Sequence, residues 1–306
     1  MKGIKNTMKK TIAVLLALAL LLSFTACGNQ TPKEPEPVEI SLKIDKADWP
    51  RIDGALACLP FYEQTAAILM DISLDEARGM IMTNNTPASF REIAEGDADL
   101  IFCLHASAEQ EEYAKENGVT LEYTPYANDA FVFFVNKDNP VDSLTMQQLH
   151  DIYAGKITNW KEVGGNDEEI IAYQRNEGSG SQTGLYQYVI SEDEVEDPVT
   201  EKRIGDMGGI IDAVAYYDNA KGALGYSYLY FVTNQHFDED IKLLKIDGFA
   251  PDKENIQSGK YPMITQYCCV INQDEPADSV VRKIIDWCTG PQGQQLAEEL
   301  YYVPVK

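Results

Sequence analysis

Apolar positions along this chain follow two alternating rhythms. Short unbroken apolar runs, the pattern of strands buried on both faces, lie at Leu100 to Leu104 and Phe131 to Val135. Glu169 to Gln174 and Gly222 to Phe231 read as two further strands. The first run follows Gly96-Asp97-Ala98-Asp99 and the second stops at Asn136-Lys137-Asp138-Asn139-Pro140, both turn-forming stretches. Between the strands stand helix signals. Thr145-Met146-Gln147-Gln148 is a Thr-x-x-Gln capping box, which predicts a helix that starts there and ends near Gly155. Val280, Ile284 and Cys288 recur at helical spacing within Ser279 to Cys288. Strands interleaved with helices predict an α/β architecture. The sequence holds no internal repeat.

One apolar run belongs to neither rhythm. Ile12 to Leu22 follows Lys2, Lys5, Lys9 and Lys10, and its eleven residues make about 16 Å of helix, roughly half a bilayer core. That is too short to span a membrane and has the form of a secretory signal peptide. Ser23-Phe24-Thr25-Ala26-Cys27-Gly28 follows, and it resembles the lipobox of bacterial lipoproteins, with Phe24 where that family usually has Leu. The resemblance implies a signal peptide at residues 1–26, cleavage before Cys27 and an acyl lipid on its thiol. The protein is then expected at the extracytoplasmic face of the cell membrane, anchored by that lipid and not by a transmembrane helix. The plainer alternative is an ordinary cleaved signal with Cys27 a chance cysteine. Residues 28–38 hold three prolines and almost nothing apolar, so they cannot offset their ordering entropy by burial. Residues 27–44 are read as the lipidated cysteine and its flexible tether.

Removing residues 1–26 leaves 280 residues, room for two cores, and takes away four cationic and no acidic side chains. The net charge thereby moves from −24 to −28. A surface that acidic argues against nucleic acid or anionic lipid as partner. It does not exclude a small anion, because a few backbone N–H groups and one buried arginine dominate a local site. Besides Cys27 the cysteines are Cys58, Cys103, Cys268, Cys269 and Cys288. An odd number with two adjacent is no disulfide framework, and no Cys/His spacing suits a metal. They read as small buried apolar groups.

The chemistry concentrates at Tyr173-Gln174-Arg175-Asn176-Glu177-Gly178-Ser179-Gly180-Ser181-Gln182. A strand ends in arginine, a Gly/Ser turn follows, and Leu185 and Val189 mark the apolar stripe of a new helix. Helix N-termini carry unpaired N–H groups and the positive end of the dipole. Serine hydroxyls add donors and Arg175 adds a forked permanent charge. Together they form a cup for a tetrahedral oxyanion. The motif is short, and a plain turn with a serine cap and a surface arginine fits it equally well.

Context comes from Asp151-Ile152-Tyr153-Ala154-Gly155-Lys156-Ile157-Thr158-Asn159-Trp160-Lys161-Glu162-Val163-Gly164-Gly165, within Asn136 to Gly165. This stretch resembles the phosphate-binding lipoproteins of bacterial phosphate ABC importers. The likeness continues through Arg175 to Gln182, Gly222 to Ser227, Tyr261-Pro262, Pro291-Gln292-Gly293-Gln294 and Tyr302-Val303-Pro304. The resemblance implies an α/β, two-lobed periplasmic-binding-protein-like fold of type II with a two-crossover hinge. Lobe 1 would take residues 45–134 with 236–306, and lobe 2 residues 135–235. It further implies a monomeric, non-catalytic receptor without cofactor or metal that captures inorganic phosphate or a similar oxyanion between the lobes. Its other partners would be the permease subunits of an ABC importer and, through the lipid on Cys27, the membrane; nucleic acid is not among them.

By the same resemblance Arg175, Ser179, Gly180 and Ser181 are the second-lobe ligands. In the first lobe, Asp53-Gly54-Ala55-Leu56-Ala57-Cys58-Leu59-Pro60 falls on the family's hydroxyl-rich loop, with Cys58 where a Thr usually donates and the Leu59 N–H retained. Thr86 matches a second hydroxyl position, and Thr86-Pro87 reads as N-cap followed by Pro at N1. Leu104 stands where the family often has an Asp that accepts phosphate's proton, with His105 next to it as a substitute if it points inward. An unmatched buried donor costs about 1–3 kcal/mol, so ligand identity is less secure than ligand class. The alternative reading is a surface sensor or interaction lipoprotein that keeps the fold without tight phosphate binding. An enzyme is disfavoured, since neither a nucleophile–base pair nor a two-metal carboxylate cluster is apparent. The tyrosines from Tyr216 to Tyr230 are expected in core or lobe interface, Trp160 as a packing anchor, and the acidic runs Glu109 to Glu112 and Glu192 to Asp197 as solvated surface.

Overall fold

The structure is a computed structural model and describes residues 42–198, 202–217 and 220–305. The expectations for the leader, for Cys27 and for the tether up to residue 41 lie outside the described residues. The expected tether ends early: Ile44 is buried and its N–H donates to the Leu69 carbonyl at 2.9 Å.

The spine is one strand of 16 residues, β3 (Leu121–Asn136). Its early part pairs antiparallel with β11 (Ile264–Asn272), which also pairs with β2 (Leu100–Cys103); β2 in turn runs parallel to β1 (Ile52–Gly54). From Phe131 onward β3 changes partner and pairs antiparallel with β8 (Ala223–Tyr228), itself parallel to β5 (Ile171–Ala172). One strand thus serves two lobes. The expected strand at Phe131 to Val135 is only its second half, where Phe and Val are continuous. The first half carries Pro125 and alternating polar residues, and the register slips between Tyr267 and Cys268, opposite Pro125. A bulge there accommodates a residue that has no N–H to give the ladder.

After β8 the chain makes a π-helical turn at Phe231–Gln235 and returns. Residues 236–306 were expected in the first lobe. Strand β9 (Ile241–Leu243) instead pairs with Phe134–Asn136, and β10 (Lys245–Ile246) with β4 (Ser143–Leu144), so pairing with the second half of β3 continues past residue 235. The C-terminal strand β12 (Val303–Pro304) closes on β3 at Ala127 and Asn128.

Helices cover the sheet where their sequences dictate. In chain order these are α1 (Leu59–Met70), α2 (Leu74–Arg78), α3 (Thr86–Glu95), α4 (Ala108–Glu116), α5 (Met146–Tyr153), α6 (Gly180–Tyr188), α7 (Met207–Tyr216), α8 (Lys253–Gln257), α9 (Val280–Thr289) and α10 (Pro291–Glu299). The capping box predicted for α5 is complete, with Thr145 and Gln148 bonding reciprocally. Helix α9 begins after Ser279, as its periodicity predicts. Among the described residues no helix is long and apolar enough to cross a membrane.

Two aromatic clusters fill the lobes. Phe61, Phe102, Tyr126, Tyr267 and Tyr302 pack in the first, with Phe61 stacked on Tyr126 at 4.2 Å between centroids. Phe131, Phe133, Tyr153 and Tyr226 pack in the second. Tyr228 and Tyr230 are buried as expected, whereas Tyr216 and Tyr217 are exposed. Trp160 is buried and donates to the Gly222 carbonyl at 2.9 Å, which anchors the Gly155 to Gly165 segment. All five described cysteines are free and buried.

Candidate functional site

Strand β6 (Gln174–Arg175) runs parallel to β7 (Arg203–Ile204) and delivers Arg175 to the edge of a cleft of about 340 Å³. The turn after it contains Gly178 at φ 71°, a left-handed conformation that glycine adopts without strain. Ser179 then caps α6, its hydroxyl accepting from the Gln182 N–H at 3.3 Å. Because that cap satisfies only the third turn position, the N–H groups of Gly180 and Ser181 find no protein acceptor among the described residues. Gly184, one turn on, is required for packing: a Cβ there would sit 2.8 Å from both Phe131 and Tyr228. The helix lies flush on the sheet and aims its free N–H groups into the cleft.

Arg175 is 5% exposed. Its Nε donates to the Ile204 carbonyl at 3.0 Å, one Nη to Ser181 Oγ at 3.1 Å and the other to the Gly205 carbonyl at 3.2 Å. Three of five donors are thereby fixed and two remain. Among the described residues no carboxylate forms an ion pair with it. Burial pulls the guanidinium pKa below its ordinary value, against smaller opposing effects of Tyr226 and Asp206. Its backbone N–H is held by Gln182 Oε1 at 2.8 Å and the Tyr226 hydroxyl at 3.0 Å, so strand and helix are locked together. A buried cation held this firmly, with Asp206 near it but no ion-pair partner among the described residues, is only partly compensated.

Two more helix N-termini reach the same cleft. Thr86 and Pro87 of α3 line it, and Thr86 Oγ1 would lie 3.2 Å from a Cβ on Gly180, so the lobes approach closely at that point. The cap of α3 is Asn85, whose side chain accepts from the Ala88 N–H at 3.0 Å; Thr86 is the first helical residue and Pro87 the second, one position later than expected. The Thr86 N–H and hydroxyl are therefore not used for capping. The third N-terminus was not foreseen: Asp206 caps α7 by accepting from the Gly209 N–H at 2.7 Å, and Asp206 and Met207 line the cleft. Its signal was present in the sequence as an Asp shortly before the apolar Ile210, Ile211 and Val214.

Of the expected ligands, the structure brings Arg175, Ser179, Gly180, Ser181 and Thr86 to one cleft. Cys58 and Leu59 are not among its lining residues. Cys58 is fully buried with its thiol toward Tyr126 and Cys103, and burial pushes that thiol's pKa up. Leu59 begins α1, so the first loop faces the cleft through Ala55, Leu56 and Ala57 instead. Leu104 lines the cleft, but His105 does not: it lies exposed against Tyr123 at 4.5 Å and borders a separate hollow with Glu109, Glu177 and Glu192. His105 is thus an ordinary exposed residue at a strand end, the more common reading of such a histidine, and does not serve as the substitute acceptor.

A family model described as a PBP superfamily domain matches residues 82–299. Among curated proteins, the phosphate-binding protein PstS of Bacillus subtilis is 26% identical over 298 residues, covering 97% of this chain and 94% of that protein. The PstS of Staphylococcus aureus strain USA300 is 28% identical over 226 residues, 71% of this chain and 67% of that one. Among solved structures, one described as a phosphate ABC transporter substrate-binding protein with bound phosphate, from Clostridium perfringens, superposes with a TM-score of 0.66 at 25% identity over 84% of this chain and 99% of that chain. An ABC-type phosphate transport receptor from Vibrio cholerae shares the fold with a TM-score of 0.64 at 21% identity, over 83% and 99% of the two chains. With its two α/β lobes, and with the greater part of its length matched, this chain belongs to the PBP superfamily.

Proposed function

We propose that this protein is an extracytoplasmic solute receptor that captures inorganic phosphate, or a close oxyanion, and delivers it to an ABC importer. The observation that carries the reading is Arg175, a buried guanidinium with two free donors and no carboxylate ion pair among the described residues, facing a cleft rimmed by three helix N-termini. In this reading its remaining N–H groups hold two anionic oxygens, the Gly180 and Ser181 N–H groups hold the charge against the α6 dipole, and Thr86 meets the ligand from the opposite lobe. Ser181 takes the Arg175 bond on its oxygen and so keeps its own proton for the ligand. Ser179 acts by capping α6. No bond is broken, and the work is desolvation and lobe closure. The relatives' names, all phosphate-binding proteins, support phosphate as the ligand.

Phosphate at about 100 times its dissociation constant is expected to stabilise the folded protein by about 2.7 kcal/mol, read as a rise in melting temperature. No shift at millimolar phosphate sinks the reading. We further propose that a lipid on Cys27 holds the receptor at the membrane. Cys27→Ala should then move the protein from the membrane fraction to the soluble fraction, and retention of that variant on washed membranes would count against the anchor.

A further inference from the structure

The cleft is chemically lopsided. Every strong donor described above belongs to Arg175, α6, α7 or Thr86, whereas the facing wall presents Ala55, Leu56, Ala57 and Leu104. Leu104 reaches the anion cup itself, for its Cδ1 would lie 3.7 Å from a Cβ on Gly180. Three main-chain carbonyls of that wall are each already engaged once. The Ala55 carbonyl already accepts from the Cys58 N–H at 2.9 Å, the Leu56 carbonyl from Gln235 at 3.0 Å and the Ala57 carbonyl from the Tyr302 hydroxyl at 2.7 Å. The two carboxylates that line the cleft, Asp206 and Glu177, lie on the Arg175 side. Asp206 caps α7, and Glu177 is held by Tyr186 at 2.8 Å and Arg203 at 3.1 Å.

Orthophosphate near neutral pH carries a proton that needs an acceptor, and this wall offers the Thr86 hydroxyl oxygen but no carboxylate. The cleft is also large for such an ion. Its 340 Å³ holds about eleven waters at about 30 Å³ each, against about three for five heavy atoms. Outside the cleft, Gln110 of α4 donates to the Gly178 carbonyl at 3.0 Å.

Building on the proposed function, we infer that the preferred ligand is a phosphoryl group whose fourth position carries a small apolar organic substituent instead of a hydroxyl. The PO₃ oxygens take Arg175, Gly180, Ser181 and Thr86, and the alkyl group packs on Leu104, Leu56 and Ala55. Replacing P–OH by an alkyl group puts an apolar group in place of a hydroxyl against Leu104, Leu56 and Ala55, where it gains apolar contact. A phosphonate and a phosphate monoester share this chemistry.

The experiment is calorimetric titration of the mature protein with orthophosphate, sulfate, ethylphosphonate and ethyl phosphate. At least one of the two organic ligands is expected to bind at least about tenfold more tightly than orthophosphate, and the tighter of them names the linkage. Leu104→Asp, which installs an acceptor, is expected to reverse that order. Should that variant melt early, Leu56→Asn at a residue 49% exposed is expected to narrow the preference. Orthophosphate binding as tightly as both organic ligands in the unmodified protein overturns this inference and leaves the phosphate receptor standing. Binding of none of the anions overturns both.

Discussion

Arg175→Ala is expected to lower affinity for phosphate at least about a hundredfold in a calorimetric titration. The two guanidinium donors left over after Ile204, Ser181 and Gly205 are served are the strongest uncommitted donors in the cleft. Charge-assisted bonds contribute about 1.5–3 kcal/mol each, and they act here with little competing water. Lysine does not substitute, because a single ammonium cannot both brace Gly205 and Ser181 and present a fork. The unliganded protein supplies the control. Its guanidinium is buried without an ion-pair partner among the described residues, so Arg175→Met, which keeps volume and removes charge, should leave the unliganded melting temperature unchanged or raise it. Added phosphate should then no longer shift it. If the methionine variant still melts higher with phosphate, the helix N-termini bind the ion without the arginine and its role here is wrong.

Those expectations came from a stretch whose meaning is local. A strand ending in Arg175, a turn with Gly178, a cap at Ser179 and an apolar stripe at Leu185 all lie within one short segment, and local chemistry fixes their geometry. The Thr145–Gln148 box was legible for the same reason. Thr86 was read to within one residue: Asn85 and Thr86 are both competent caps, and only the bond to the Ala88 N–H selects Asn85. Cys58 was misplaced because the path of the first loop depends on α1 starting at Leu59 and turning the thiol into the aromatic core. The early half of β3 was missed because its pairing is set by β11, more than 100 residues later, and its polar Asp129 is buried by that pairing. Sequence reveals which groups are present; which of them lose water depends on the partner strand.

Asp129 shows what that loss of water does. It lies in β3 between the lobes, 3% exposed, with no cation beside it among the described residues. Its carboxyl oxygens accept from the Tyr230 N–H at 3.1 Å, on the return path of the chain, and from the Tyr267 hydroxyl on β11. Burial pushes its pKa up to about 7, with the bonds from Tyr267, Ala130 and Tyr230 holding it back. The neighbours feel the same charge: Asp129 helps to raise the pKa of Tyr188, Tyr228, Tyr261 and Tyr267. An unfolded aspartate titrates near 3.9, so between about pH 4 and pH 7 the folded chain holds a proton that the unfolded chain has lost. This contribution to stability is therefore complete below about pH 4 and is lost as pH rises through 7. The span of about three pKa units corresponds to roughly 4 kcal/mol. Asp129→Asn keeps the shape and one acceptor and never ionises. Denaturant unfolding should find the two proteins alike near pH 4, and the variant more stable by a margin that grows toward roughly 4 kcal/mol by about pH 8. Parallel stability curves across that range would mean that Asp129 is ionised throughout and that an unseen donor, not protonation, satisfies it.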